Sequence, residues 1–569
     1  MSDDIGIWIG SLEDAAFSRL KIPLAFNGSG DPKKEKNAMR GLMQNHQLLI
    51  SSLIEHVANA HPNAEIVSRT LEGSIHRCTY ADVERRAKQV ARALTAMGVT
   101  QGERICTLAW NGFRHLEMHF GVSGFGAVLH TAIPRLFPEQ LKYIINHAED
   151  QLLFFDSCFP PLIEKLAPKL KSVKAYIVLT DRQNVPCTSL SQLLCYEELI
   201  AARSGSYRWP DSDENTASSL CYTSGTTGIP KGVMYTHRST LLHSMLICMT
   251  DGFALSAVDS VCLAIPMFHV NAWGLPYSAA MVGARLLLPG PTLDGASLYR
   301  FMRDERATAA LGVPTIWLQV QQYVQAQSLD PVNELSLKRV LIGGAAVPRS
   351  VVETFERRFG LHVLHAWGMT ETSPIGPLCN PLQKHQLATE AQRIELQSKQ
   401  GRVPYGVSLK ITDEAGAALP HDGMAAGRPL VRGHWVASAY FGLGDESILD
   451  ADGWFDTGDI ATTDPDGYMR IADRAKDVIK SGDEWISSID LENAAMGHAA
   501  LAEAAAIGLP HPKWQERPLL VVAARWHRVR FATSTHRNGQ AAKSDASGNL
   551  QGISIRSRRI ATQETGYSP

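Results

Sequence analysis

Residues 222–232 read YTSGTTGIPKG, a run of small hydroxyls and glycines ahead of one cation. That combination suits a polyphosphate. Glycine lets the backbone approach a phosphate and aim its N–H groups at it. Serine and threonine add donors, and lysine adds a point charge. Thr223, Ser224, Gly225, Thr226, Thr227, Gly228 and Lys231 are therefore candidate phosphate-binding residues. The pattern is not GxxxxGK[ST], because Gly232 follows Lys231. The plainer alternative is a flexible Ser/Gly loop.

Other residues downstream could act on the same ligand. In HAWGMTETSP (365–374), the hydroxyl donor Thr370 precedes Glu371, a hard carboxylate of the kind that holds Mg²⁺. A helix N-cap followed by an acid reads the same way. WFDTGDI (454–460) offers Asp459, in a segment that also reads as a turn. Gly343, Gly344 and Ala345 offer backbone on which a flat ring could stack, although a GG pair also serves close packing. HLEMH places His115 and His119 at i, i+4 around Glu117. A zinc-protease helix needs Glu beside the first histidine, so these three are expected to be structural.

The elements that must position these residues alternate in type. Residues 83–97, VERRAKQVARALTAM, put Val83, Ala87, Val90, Ala91, Leu94 and Met97 on one helical face, with Gly98 as C-cap. Short apolar runs at 105–110, 152–156 and 175–180 alternate with helical patterns such as EQLKYIINHAED. RVLIGGAAVP (339–348) reads as a buried strand entering a Gly-rich turn. Strand–helix alternation predicts an α/β fold with largely parallel sheets. Residues 471–494 read as charged and helix-prone after the turn at Asp466-Gly467.

A chain of 569 residues exceeds one core, so two or more domains are expected. Hydrophobic content of 45%, charged content of 20% and a formal net charge of -2 argue against nucleic acid or an acidic membrane as a general partner. The nine cysteines lie between Cys78 and Cys379 without a CxxC pair, which fits a reducing, cytoplasmic setting. The N-terminus lacks a signal-peptide pattern, and no run of 18 apolar residues predicts a membrane span. Residues 1–42 read as a disordered extension, with Met39 and Met43 as alternative starts.

Taken in series, these words resemble the AMP-forming adenylating enzymes: acyl- and aryl-CoA synthetases, luciferases and peptide-synthetase adenylation domains. PMFHVNAW (266–273), IGGAAVP (342–348) and DRAKDVIKSGDEWISS (473–488) complete the set, in the family's order, over roughly residues 48–520. The flanking words FRHLEMHFGVSGFGAVLHTAIPRL and HPKWQERPL resemble bacterial medium- and long-chain fatty acyl-CoA synthetases, above all the medium-chain enzymes of alkane-degrading pseudomonads. A sister group that activates methylthiopropionate shares much of this wording. The resemblance implies a large N-terminal domain of α/β-sandwich subdomains plus a β-barrel (43–472), and a small mobile α+β domain (473–524).

It also implies a two-step reaction. A carboxylate attacks the α-phosphate of ATP to give acyl-adenylate and pyrophosphate. The thiol of coenzyme A then displaces AMP. ATP, Mg²⁺, coenzyme A and a fatty acid are the implied ligands, with a homodimer as the assembly to test. By resemblance, Thr370 contacts the α-phosphate, and Glu371 with Thr223 holds Mg²⁺. Asp459 and Arg474 hold the ribose, and Gly343, Gly344, Ala345, Trp367, Gly368 and Met369 surround the nucleotide. His269 lies between the acid and nucleotide pockets. Trp273 gates an acyl tunnel lined by Val313 and Pro314. Lys476 is the hinge of the small domain, and Lys480 and Trp485 serve thioester formation.

One family element is altered. The small domain normally carries a TSxGKxxK loop whose lysine bridges the acid and the α-phosphate. The nearest echo here is ASGNLQG, with Asn549 where lysine would stand. Residues 525–569 carry eight Lys/Arg against Asp545 and Glu564, with few aliphatics, a composition that predicts disorder and looks like a frameshift. An impaired first half-reaction is therefore expected. A nucleotide- and acyl-binding protein of low turnover is the alternative from a different class.

Overall fold

The computed structural model describes residues 41–223, 229–443, 446–481, 484–496, 498, 501–511 and 514–524. The expectations for the N-terminal extension, the tail after residue 524, and Ser224, Gly225, Thr226, Thr227 and Gly228 lie outside the described residues.

The alternation of apolar runs and amphipathic segments resolves into two large sheets. The first orders its seven strands Leu193–Cys195, Ala175–Val178, Leu152–Phe155, Arg104–Leu108, Val128–Thr131, Ala217–Tyr222 and Gly232–Thr236. All pairings are parallel except the last, where Gly232–Thr236 returns antiparallel across the loop after Tyr222. The second has eight strands: Ile375–Leu378, Val363–Gly368, Arg339–Ile342, Ala309–Gly312, Ser260–Leu263, Arg285–Leu288, Glu65–Arg69 and Ile75–Thr79. Only its two edge strands run antiparallel. The largest buried cluster draws on both sheets and includes Ile105, Leu129, Phe154, Leu263, Leu286 and Leu341.

Helix ends follow local chemistry. The helix Tyr80–Ala96 starts three residues before the apolar pattern. Thr79 accepts from the Asp82 amide, and the Asp82 carboxylate accepts from the Thr79 amide. Gly98, at φ +75°, closes it as expected.

Beyond the second sheet come a three-stranded antiparallel sheet (Val407–Thr412, Arg428–Gly433, Phe455–Asp456) and the pair Asp459–Thr463 with Met469–Arg474. The helix expected over 471–494 is corrected. Strands Met469–Arg474, Ile479–Ser481 and Glu484–Ile486 occupy its first part, and the helix is confined to Ser488–Met496. Val478 and Ile479 are buried, and Ile479–Ser481 pairs with two strands, so sheet formation overrides helix propensity there. A long hairpin, Leu501–His511 with Gln515–Ala524, completes that four-stranded sheet. Among the described residues no helix is long and apolar enough to cross a membrane.

This architecture concentrates chemistry at the carboxyl ends of parallel strands, where open α/β sheets bind ligands. Thr223 follows Ala217–Tyr222, Val313 follows Ala309–Gly312, Gly343 follows Arg339–Ile342 and Met369 follows Val363–Gly368.

Candidate active site

Three of those strand ends, at Thr223, Gly343 and Met369, meet around one cavity of about 720 Å³, and Val313 and Pro314 do not line it. Thr223, Lys231, His269, Trp273, Gly343, Gly344, Trp367, Gly368, Met369, Thr370, Glu371 and Arg474 all line it. The neck of the phosphate-loop sequence is closed by two bonds. The Thr223 amide donates to the Lys231 carbonyl (2.9 Å), and the Lys231 amide donates to the Thr223 hydroxyl (3.1 Å).

Thr370 and Glu371 sit in a short 3₁₀ turn after the strand Val363–Gly368, both buried. Tyr235 donates its hydroxyl to the Thr370 carbonyl (2.7 Å), and the Ala437 amide donates to the Glu371 carbonyl (2.8 Å). Tyr440 donates to Glu371 Oε1 (2.6 Å), and Lys231 Nζ stands 4.6 Å from the centre of the same Tyr440 ring. Glu371 Oε2 has no protein partner among the described residues. Glu371 and Thr223 both line the cavity, and a carboxylate together with a hydroxyl fits a hard cation such as Mg²⁺.

At the other end, Trp367 donates its indole N–H to Asp459 Oδ2 (2.9 Å), and Arg474 lies 3.6 Å from Oδ1. Burial raises the Asp459 carboxyl, while Arg474 and the indole oppose the rise. Ala345 lines an adjoining cavity with Gly344, Trp367, Asp459 and Arg474.

The segment between the sheets is strained. Val270, Asn271, Ala272 and Trp273 take φ of 47°, 50°, 52° and 55°. Each such non-glycine residue costs roughly 1–3 kcal/mol and persists only where neighbours fix it. Asn271 donates to Ser219 Oγ (2.7 Å), and the Phe268 carbonyl accepts from Thr131 (3.2 Å). The turn sets His269 and Trp273 on the cavity wall. Burial lowers the His269 ring below its usual range, so it stands neutral at pH 7. The Trp273 ring lies against Gly343 and Gly344, where an added Cβ would meet it at 3.3 and 3.6 Å. Gly344, at φ +83°, also faces Val313. Pro314 is buried as the first residue of the helix Pro314–Ala326.

A family model described as AMP-binding enzyme matches residues 54–441. The chain belongs to the AMP-binding enzyme family. Its relatives include a 3-methylmercaptopropionyl-CoA ligase of Ruegeria pomeroyi, 52% identical over 85% of this chain and 89% of the relative. A medium-chain-fatty-acid–CoA ligase of Ectopseudomonas oleovorans is 50% identical over 85% and 88%. A long-chain-fatty-acid–CoA ligase of Thermus thermophilus is 44% identical over 86% and 88%. The fold is shared with an anthranilate CoA ligase in complex with anthranoyl-AMP (TM-score 0.73, 23% identity, 84% and 87% covered) and with ATP-bound MatB of Rhodopseudomonas palustris (0.70, 23%, 84% and 89%).

Not every sequence-derived residue of this AMP-binding enzyme reaches the cavity. Lys476 lies in the exposed turn between Met469–Arg474 and Ile479–Ser481, and Lys480 pairs with Trp485 on the adjoining strand. Neither lysine lines the cavity. The Trp485 side chain lies outside what is described. His115, Glu117 and His119 do not converge on a metal: they bond to Thr107, to Arg86 and Tyr196, and to Tyr277 respectively.

The sequence reading missed Tyr440, Tyr143 and His147, which share the cavity wall with Lys231. Tyr143 and His147 belong to an ordinary amphipathic helix, Pro138–Ala148. Tyr440 follows WVASA, which carries no period. No local signal marks any of the three. Only the pairing of remote elements brings them in.

Proposed function

We propose that this AMP-forming acyl-CoA ligase activates a medium-chain fatty acid, with the acyl chain entering past Trp273 and ATP lying between Lys231 and Asp459. The observation that carries the reading is the continuity of a single cavity from the Lys231–Tyr440–Glu371 cluster to the aromatic Trp273 and the small residues Gly343 and Gly344. In this reading residues 43–472 form the large unit and 473–524 the small one.

Each group then has a task its surroundings suit. Lys231 steadies the leaving pyrophosphate. Thr370 donates its hydroxyl to the α-phosphate as charge grows there. Asp459, held by the Trp367 indole, accepts from the ribose hydroxyls beside Arg474. Neutral His269 separates the acid from the nucleotide. Glu371 and Thr223 would hold Mg²⁺, which when bound neutralises phosphate charge. Lys480 serves the second step, after the small unit turns about Lys476. With Asn549 in place of the family lysine, the first half-reaction runs slowly, whereas thioester formation from supplied adenylate proceeds.

The relatives from Ruegeria favour a second reading, in which 3-methylmercaptopropionate is the acid. Competition between octanoate and methylthiopropionate, with AMP release as readout, separates the two. A preference for octanoate of about tenfold or more in kcat/KM is expected, since each buried methylene contributes roughly 1–3 kcal/mol. The reverse preference supports the second reading. Tight ATP or adenylate binding with no product from either acid supports a low-turnover binding protein.

A further inference from the structure

Next to Lys231 the cavity wall carries a histidine that the adenylation chemistry has not used. His147 lies in the last turn of the helix Pro138–Ala148 and is half-buried on the lining. Its Nδ1 is occupied by Tyr222, whose hydroxyl lies 2.7 Å away. Its Nε2 meets no protein partner among the described residues and is not sealed in the core. The ring is fixed on three sides. Tyr143 stacks on it at 5.2 Å, Phe441 meets it edge-on at 5.4 Å, and an added Cβ at Gly442 would touch Cε1 and Nε2 at 2.7 Å. Behind Tyr222, the buried His130 ring pairs with Asp150 (2.7 Å) and supports the tyrosine at a ring distance of 5.1 Å.

This wall is the phosphate end of the cavity. Tyr222 ends the strand before the Gly/Ser/Thr loop. Phe441 donates its amide to the Gly232 carbonyl (2.8 Å), one residue beyond Lys231. In the neutral tautomer whose Nδ1 accepts from Tyr222 the proton sits on Nε2, and the charged ring, which donates to Tyr222 from Nδ1, carries a proton on Nε2 as well. In both forms Nε2 carries an N–H, and the ring lines the cavity.

We propose that His147 donates from Nε2 to the β/γ end of the triphosphate, and to pyrophosphate before it leaves, as a second phosphate-binding residue beside Lys231. The inference rests on the adenylation reading above. AMP lacks these phosphates, so it serves as the internal control.

The test is calorimetric titration of the full chain with pyrophosphate and, separately, with AMP, for wild type, His147→Ala and His147→Gln. The glutamine amide nitrogen reaches the place of Nε2. His147→Ala is expected to weaken pyrophosphate about tenfold, as for loss of a hydrogen bond to a charged group, with AMP changed less than about twofold. His147→Gln is expected to recover pyrophosphate to within about threefold. If His147→Ala does not fold, His147→Leu keeps an apolar body between Tyr143 and Phe441, and the same expectation applies. Unchanged pyrophosphate affinity, or equal weakening of pyrophosphate and AMP, overturns the proposal while the adenylation reading stands. A wild-type protein that binds neither ligand overturns both.

Discussion

At the floor of the cavity and of the one adjoining it, Thr370, Glu371 and Asp459 are buried, and each is held by a tyrosine or tryptophan from another part of the chain. The hairpin Leu501–His511 with Gln515–Ala524 presents the opposite situation. Ile507, Leu509, Val521 and Val522 stand 44–53% exposed, and Val521 and Val522 point to opposite faces. Away from the helix Ser488–Met496, which packs on Leu501–His511, these exposed side chains gain little from burial, whereas the floor is held by packing and by bonds to remote side chains. The two regions differ in what a substitution can reach. On the floor it removes a functional group from a rigid site. On the hairpin it changes a surface.

The contrast is broken most severely at Glu371. Glu371→Gln keeps the shape but loses the charge and leaves Tyr440 facing an amide. A fall of about 10²–10³ in the rate of adenylate formation is expected, with the fold retained by circular dichroism. Next comes Asp459→Asn, which keeps a partner for Trp367 but removes the negative acceptor. ATP and AMP affinities should both weaken roughly 10–100-fold by calorimetry, as for loss of hydrogen bonds to a charged group.

A third effect concerns the core around the floor. Burial depresses His115, His237 and His365 to about 4 and His243 to about 3. Below about 6.5 the unfolded chain takes up protons that these folded rings refuse, so stability is full above that pH and falls as pH drops toward 4. Each ring contributes up to about 1.4 kcal/mol per pH unit, and urea midpoints measured between pH 7 and 4.5 should decline accordingly. A flat profile would mean that these rings are not buried. The smallest effect belongs to the hairpin. Val521→Lys should leave adenylate formation and the urea midpoint unchanged, within about 0.5 kcal/mol, while lowering self-association in sedimentation.

The same contrast governs what could be read from the sequence. Contiguous words such as YTSGTTGIPKG and HAWGMTETSP declare their chemistry because one strand end supplies the whole group. The parallel strands at 104–108, 152–155 and 175–178 were equally legible as short apolar runs. Tyr440 and His147 were not, since each enters the site through tertiary pairing: Tyr440 through Glu371, and His147 through Tyr222 and Phe441. Residues 471–487 misled for a related reason. Their charges suggest helix, but Ile479–Ser481 is a strand because the hairpin lies beside it.

The most direct test follows acyl-adenylate itself. ATP, Mg²⁺ and octanoate are mixed with the enzyme without coenzyme A, quenched over time, and assayed for octanoyl-AMP. In parallel, supplied octanoyl-AMP and coenzyme A are assayed for octanoyl-CoA. The account predicts that octanoyl-AMP forms on the enzyme, about 10² or more slower than thioester forms from supplied adenylate. Absence of any adenylate from octanoate while ATP binds tightly would contradict it.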